Sequence, residues 1–152
     1  MTSANKKKGD NAERAAMAAC IRGGFPWTER TRAGYTRDYG DLHLETIHGR
    51  NGGPAIIAQV KDARVLRWIE WLGELAAQIR DAKADHGFLI VKRPGLSAEN
   101  ADQWLAVTTL ADHLLLCRAA GYGSKLTEVE SQRLADALAV SRAEPAGEGE
   151  IR

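Results

Sequence analysis

Two short stretches in the first half of the chain alternate between polar and apolar residues, which is the pattern of half-buried strands. In Asp41–Glu45 the two leucines point to one side and the three polar residues point to the other. In Ala55–Lys61 the polar residues Gln59 and Lys61 share one side, opposite small and branched apolar residues. The glycine-rich segment His48–Pro54 predicts a turn between them, so the two strands should pair as an antiparallel hairpin.

The most regular helical pattern follows directly, in Asp62–Ala84. Its apolar residues recur at helical spacing and are Val65, Ile69, Leu72, Leu75, Ala76 and Ile79. Trp68 and Trp71 widen this surface and either belong to the core or pair with a second subunit. The continuous apolar run in Gly87–Lys92 then predicts a buried central strand, connected to the hairpin by a parallel crossover.

The remaining predicted elements are shorter. A first helix is predicted over Asp10–Arg22, where Asp10 can cap the helix and Glu13 stands at the capping-box position. The others are strands at Phe25–Arg30 and Trp104–Thr108, a helix at Thr109–Ala119 with the capping pair Thr109 and Asp112, and a helix at Thr127–Ser141. Together these elements predict an α/β fold, a central mixed sheet flanked by helices.

One main domain with short additions is expected from these elements. The predicted segments are a flexible basic arm at residues 1–9, the domain at 10–123, an accessory C-terminal helix at 124–142 and a disordered tail at 143–152. The arm contains Lys6, Lys7 and Lys8, which either aid solubility or contact a phosphate backbone.

Composition and charge narrow the class of protein. Of the 152 residues 27% are charged and 44% are hydrophobic, as in soluble globular proteins. No apolar run could span a bilayer and no secretory signal is present, so a cytoplasmic protein without a membrane partner is expected. In such a reducing compartment, Cys20 and Cys117 should be buried free thiols. Residues 1–100 carry 16 Lys and Arg against 12 Asp and Glu, and residues 101–152 carry 5 against 8. The basic excess therefore accompanies the hairpin, as expected if this part of the chain meets a polyanion.

Asp41, Gln59 and Lys61 carry the chemistry of greatest interest, because the predicted hairpin places them on one face of neighbouring strands. Carboxylate and amide oxygens can hold a hard divalent cation, and an ammonium group can neutralise phosphate charge. Singly, each has an ordinary explanation, such as an exposed lysine at a strand end. Neither a zinc site nor a Ser, Cys or His nucleophile is indicated by the spacing of those residues.

The ordered set of motifs resembles the restriction-endonuclease-like nucleases with a PD-(D/E)xK motif, and most of all the archaeal-type Holliday junction resolvases and their phage-encoded relatives. Lys7–Arg14 resembles that family's lysine-glycine entry into a helix with a catalytic glutamate. Gly40–Leu42 is similar to its aspartate strand, Ala58–Lys61 to its E-V-K strand and Val91–Arg93 to a later strand. The likeness covers roughly residues 5–118 in the same order.

This resemblance implies a homodimeric, Mg²⁺-dependent endonuclease, with Mn²⁺ as an alternative ion, that hydrolyses phosphodiester bonds in four-way DNA junctions. It implies that Glu13, Asp41 and Gln59 hold the metal and that Lys61 completes the catalytic set. The candidate contacts to branched DNA are Lys6, Lys7, Lys8, Arg30, Arg32, Arg37, Lys92 and Arg93. The second subunit is expected at Trp68 and Trp71 or at Thr109–Ala119.

The chain departs from the family at Gln59, where the family has a glutamate. Three interpretations stay open: Gln59 is a weak ligand beside Glu13 and Asp41, Glu45 substitutes for the missing carboxylate, or the protein binds junctions without cleaving them. The first is preferred because Asp41 and Lys61 are both present. A nicking or repair nuclease of the same fold and an enzyme directed at RNA are also compatible with these residues.

Overall fold

The computed structural model describes residues 3–31, 40–45, 53–125, 127–129 and 131. The chain divides into two compact units, Met1–Thr108 and Thr109–Arg152, so the division falls inside the segment expected to form one domain. The turn residues His48 to Gly52, most of the arginine-rich loop after Arg30 and nearly all of the helix predicted at Thr127–Ser141 lie outside the described residues.

A five-stranded mixed sheet organises the first unit. Its elements are α1 (Ser3–Arg22), β1 (Glu29–Arg30), β2 (Leu42–Glu45), β3 (Ile56–Lys61), α2 (Trp68–Ala82), β4 (His86–Val91), a short 3₁₀ helix (Ala98–Gln103) and β5 (Leu105–Val107). The strands lie side by side in chain order. The β3–β4 pair is parallel and the other three pairs are antiparallel. The predicted α/β class, hairpin and parallel crossover strand are therefore confirmed.

The two faces of the sheet pack against different helices, because successive side chains of a strand point to opposite faces. On one face, Leu42, Ala58 and Ile90 pack with Ala12 and Ala16 of α1. On the other face, Leu89 and Val91 pack with Trp71 and Leu75 of α2, while Ile57 packs with Ala82. We refer to these as the α1 face and the α2 face.

The first helix begins at Ser3 and not at Asp10 as predicted, so Lys6, Lys7 and Lys8 lie in α1, and the flexibility of the basic arm stays a prediction. Asp10 lies inside the helix and does not cap it. The helix continues through Gly9, which a helix tolerates at a cost of about 1 kcal/mol. Beside Gly9, Lys8 contacts Asp62, where its Nζ lies 3.1 Å from both a carboxylate oxygen and the backbone oxygen.

The second helix begins at Trp68, six residues later than predicted. Its buried residues are Trp71, Leu75, Gln78 and Ala82, so the buried stripe is rotated relative to the predicted one. Ile69 is 93% exposed and Val65 is 72% exposed, whereas Trp71 is buried and cannot offer its ring to a second subunit. Asp62, the predicted start of this helix, instead pairs with Lys8 and Lys92.

The second unit begins with α3 (Leu110–Ala119), as predicted. The Thr109 side chain accepts a hydrogen bond from the Asp112 N–H at 3.2 Å, which confirms half of the predicted capping box. No helix among the described residues has the length and apolar character required to cross a membrane. Cys20 and Cys117 are both free and half-buried, and burial raises the pKa of the Cys20 thiol.

Candidate active site on the α2 face

Gln59 and Lys61 meet a carboxylate from the crossing helix. Their spacing on β3 puts both side chains on the α2 face, where Glu74 of α2 lies between them. Gln59 Nε2 donates to Glu74 Oε2 at 3.1 Å, and Lys61 Nζ donates to the same oxygen at 2.8 Å. A carboxylate is therefore present beside position 59, although it comes from α2 and not from the strand.

Charge and an aromatic ring fix the position of the Lys61 ammonium group. Its Nζ lies 5.5 Å from the centroid of the Trp71 ring, a distance at which a cation is attracted to the ring face. The hydrogen bond from Lys61 is the largest cause that holds the pKa of Glu74 below its ordinary value, and the Gln59 amide acts in the same direction. Glu74 thus remains ionised at neutral pH.

Asp41 comes to β3 from the neighbouring strand. Its Oδ2 accepts a hydrogen bond of 2.6 Å from the backbone N–H of Val60, the residue between Gln59 and Lys61. Its own N–H donates to the Ala58 carbonyl at 3.0 Å, which fixes the backbone just before β2. Asp41 is therefore fixed against the same segment of β3 that carries the predicted amide and ammonium groups.

The Gln59 side chain leaves one polar atom unsatisfied. Gln59 is only 6% exposed, and its Oε1 has no hydrogen-bond partner among the described residues. A buried carbonyl oxygen without a donor costs roughly 1–3 kcal/mol, so its presence calls for a physical reason. A bound cation would supply one, because an amide oxygen is a ligand that Mg²⁺ accepts.

The described residues could hold a divalent cation only through ligands of more than one chemical kind. In the described part of the chain no three His, Cys, Asp or Glu side chains are grouped closely enough to hold a metal ion. A cation would therefore need the Gln59 oxygen, with water or phosphate oxygens completing its shell, as Mg²⁺ sites commonly do.

Glu13 lies in a different cluster, on the α1 face. Its Oε2 accepts from Arg30 Nε at 2.9 Å and also from Arg30 Nη2, which donates to Asp10 Oδ1 at 2.9 Å. The hydrogen bond to Glu13 is the largest cause that raises the pKa of Arg30. Arg30 pairs with Leu42 across the strands, and directly paired residues of neighbouring strands point to the same face of the sheet. Because Leu42 packs against α1, this cluster lies on the α1 face. The structure does not group Glu13 with Gln59 and Lys61, and its role as a metal ligand stays a prediction.

Two of the predicted DNA-contacting lysines converge at the carboxyl ends of β3 and β4. Lys8 and Lys92 both pair with Asp62, at 3.1 Å and 3.2 Å. Lys92 Nζ also lies 5.8 Å from the centroid of the Trp104 ring. Arg93 is exposed and donates to the Gln103 carbonyl at 3.3 Å. Lys8, Lys92 and Arg93 therefore bring positive charge to this end of the sheet.

The rest of the predicted site residues are placed as follows. Lys6 and Lys7 are exposed on α1, and Arg32 and Arg37 lie outside the described residues. Glu45, the candidate substitute ligand, follows a register shift in β2 and pairs with Ile56.

Glu74 was missed by the sequence reasoning, although a signal for it existed. It lies three residues after Trp71 and four before Gln78, both buried. A residue so spaced borders the buried stripe of its helix. Gln78 is buried although it is polar, and its Oε1 has no hydrogen-bond partner among the described residues.

Comparisons with protein-family models, with curated proteins and with solved structures each found no match to this chain.

Proposed function

We propose that this chain is a metal-dependent endonuclease that cleaves phosphodiester bonds in branched DNA, with four-way junctions as its substrate. The observation that carries the proposal is the meeting of Asp41 with the Gln59-x-Lys61 segment on adjacent strands. This is the arrangement that the sequence motifs imply for PD-(D/E)xK nucleases. The proposal extends to a restriction-endonuclease-like fold.

Element order supports the fold proposal. A helix precedes three antiparallel strands, and a helical crossover leads from β3 to the parallel strand β4. The candidate residues lie where β2 and β3 meet, and the basic cluster at the carboxyl ends of β3 and β4 is close to Lys61 in sequence and register. A crevice beyond strand ends is where α/β sheets commonly bind ligands.

Each of these side chains would have its own role in hydrolysis. Asp41 and the Gln59 oxygen would hold a divalent cation. Such an ion supplies a bound water of lowered pKa and neutralises charge on the scissile phosphate. Lys61 can donate hydrogen bonds to a phosphate oxygen or to the attacking water, and its charge would stabilise the negative charge that develops during hydrolysis. Lys8, Lys92 and Arg93 would contact neighbouring phosphates without reading the base sequence.

Cleavage of a junction on both sides requires two active sites, so the proposal includes a homodimer. Val65 and Leu66, just before α2, and Ile69 in its first turn are exposed, and they offer an apolar surface in place of the buried Trp71. Exposed apolar residues in a group are typical of protein contacts.

The test is a cleavage assay on a synthetic four-way junction, a linear duplex of matched sequence and a single strand, with Mg²⁺ or Mn²⁺. Paired symmetric nicks in the junction alone are expected. Asp41→Asn should reduce the rate by about a thousandfold, because it removes the charge that holds the cation. Asp102→Asn, which changes an exposed carboxylate on the 3₁₀ helix, is the matched control and should cleave like the unaltered protein.

Two different outcomes would redirect the proposal. Cleavage of linear duplex at the same rate would retain the chemistry and replace the junction by a broader substrate, as in a nicking or repair nuclease. Tight junction binding without cleavage in any metal would favour a branched-DNA-binding protein without activity, which is the interpretation that the uncharged Gln59 leaves open.

A further inference from the structure

We infer that Glu74 supplies the second charged ligand of the divalent cation, in place of the glutamate that position 59 lacks. The site would then consist of Asp41, the Gln59 oxygen and Glu74. This inference rests on the proposed function, since DNA cleavage is the reaction that the cation would serve. Its claim about metal binding can nevertheless be tested without DNA.

Three contacts support Glu74 in this role. Its carboxylate lies on the α2 face within hydrogen-bonding distance of both Gln59 and Lys61. The same Gln59 amide whose nitrogen contacts Glu74 has a buried oxygen without a partner among the described residues. An orphaned oxygen beside an ionised carboxylate is a place where a cation satisfies two groups at once.

The Lys61 ammonium group now occupies part of the space that a cation would take. It neutralises Glu74 at 2.8 Å, and a divalent ion bound to that carboxylate would repel it. Lys61 would then turn away from Glu74, toward a bound phosphate. The exposure of the Glu74 side chain, 41%, leaves room for a water ligand and for this exchange of partners.

The experiment measures binding of Mn²⁺, from the free-ion signal in electron paramagnetic resonance, in parallel with junction cleavage. Glu74→Gln should weaken Mn²⁺ binding by about tenfold or more, and Asp41→Asn by a similar factor. Glu99→Gln changes an exposed glutamate on the 3₁₀ helix and should leave binding unaltered. Because Glu74 is partly exposed, its substitution should preserve the fold, which circular dichroism verifies.

A charge exchange gives the sharpest test. The double substitution Gln59→Glu with Glu74→Gln returns the carboxylate to β3 while removing it from α2. Binding of Mn²⁺ should recover to within about threefold of the unaltered protein, since ligand charge sets much of the affinity. A double variant no better than Glu74→Gln alone would contradict the inference.

The two proposals can fail separately. If Asp41→Asn abolishes both binding and cleavage while Glu74→Gln changes neither, the nuclease stands and the assignment of Glu74 is overturned. If Glu74→Gln weakens Mn²⁺ binding but the unaltered protein cuts no DNA, the metal site stands and the proposed function is overturned.

Discussion

The two faces of the sheet each carry a cluster of charged side chains, and the clusters are satisfied in different ways. On the α1 face, Arg30 donates hydrogen bonds to Asp10 and Glu13. On the α2 face, one carboxylate, Glu74, receives two donors while the Gln59 oxygen next to it receives none within the described structure. The first arrangement is complete without a ligand, and the second is not.

Charge alone therefore does not identify a ligand-binding site. Both clusters combine acidic and basic groups, and the α1 cluster has more carboxylates. Buried polar atoms are nearly always hydrogen-bonded in folded proteins, so an unpartnered one is more informative than a charge. By that criterion the cluster around Gln59 is the candidate for ligand binding, whereas the Arg30 cluster satisfies its own charges.

Lys61→Met should separate the two proposed roles of the ammonium group, stabilising charge during cleavage and competing with the cation for Glu74, and has the largest effect expected in this comparison. Cleavage should fall by about a hundredfold to a thousandfold, because the developing charge loses its partner. Mn²⁺ binding should become tighter, by about tenfold, because a competing positive charge is removed. A kinetic assay and a metal titration on the same preparation measure both; weaker metal binding would contradict the picture of Lys61 as a competitor.

Glu13→Gln tests directly whether the α1 face takes part in cleavage. If the α1 cluster is structural, junction cleavage should stay within about threefold of the unaltered rate, since no reacting group is touched. A hundredfold loss of cleavage without a change in fold would place Glu13 in the catalytic set, as the family resemblance implies, and would remove the distinction between the faces.

Arg30→Met tests whether the charged cluster on the α1 face stabilises the fold. It leaves two partly buried carboxylates without their shared donor, so the free energy of unfolding should fall by about 1–2 kcal/mol. Urea denaturation measures this change. Arg64→Met, at an exposed position, should stay within about 0.5 kcal/mol. Equal effects of the two substitutions would show that the ion pairs of Arg30 contribute nothing.

Lys92→Met addresses the basic cluster at the strand ends. Junction binding should weaken a few-fold, and the slope of log affinity against log salt concentration should decrease by about one, as for the loss of one phosphate contact. Arg22→Met, at the far end of α1 from Lys8, is the control. A salt slope equal to that of the unaltered protein would exclude Lys92 from the interface.

The smallest expected effect is the pH dependence of the Lys61–Glu74 pair. Since the pKa of Glu74 is lowered in the folded state, the pair stabilises the protein above the ordinary glutamate pKa and ceases to do so as the pH falls through the folded value. For a partly exposed, solvent-screened pair this amounts to roughly 0.2–1 kcal/mol. The difference in unfolding free energy between the unaltered protein and Glu74→Gln should therefore shrink from pH 7 to pH 3, and a constant difference would contradict it.

Much of the sheet could be predicted because its strands carry local signals. The alternation in β2 and β3 and the continuous apolar run in β4 identify strands that are buried on one face or on both. The capping pair at Thr109 likewise marks the start of α3 within a few residues. In each case the determining interactions lie within the element itself.

The helix boundaries and the full candidate site could not be predicted, because they depend on contacts between distant residues. In α1, Lys8 contacts Asp62, which is 54 residues away in the chain. Gln59 and Glu74 are 15 residues apart, and only the packing of α2 on the sheet brings them together. Spacing along one strand could identify Gln59 and Lys61, but not their partner on a helix.

The position of β3 in the sheet has a consequence for the dynamics of the candidate site. Because β3 is the middle strand of five, with neighbours on both sides, its backbone amides are held by ladders that open only when most of the sheet opens. Amide hydrogens of Gln59 and Lys61 should thus be among the slowest to exchange with solvent. Motion needed for ligand entry must therefore come from side chains and from α2, while the strand serves as a fixed reference.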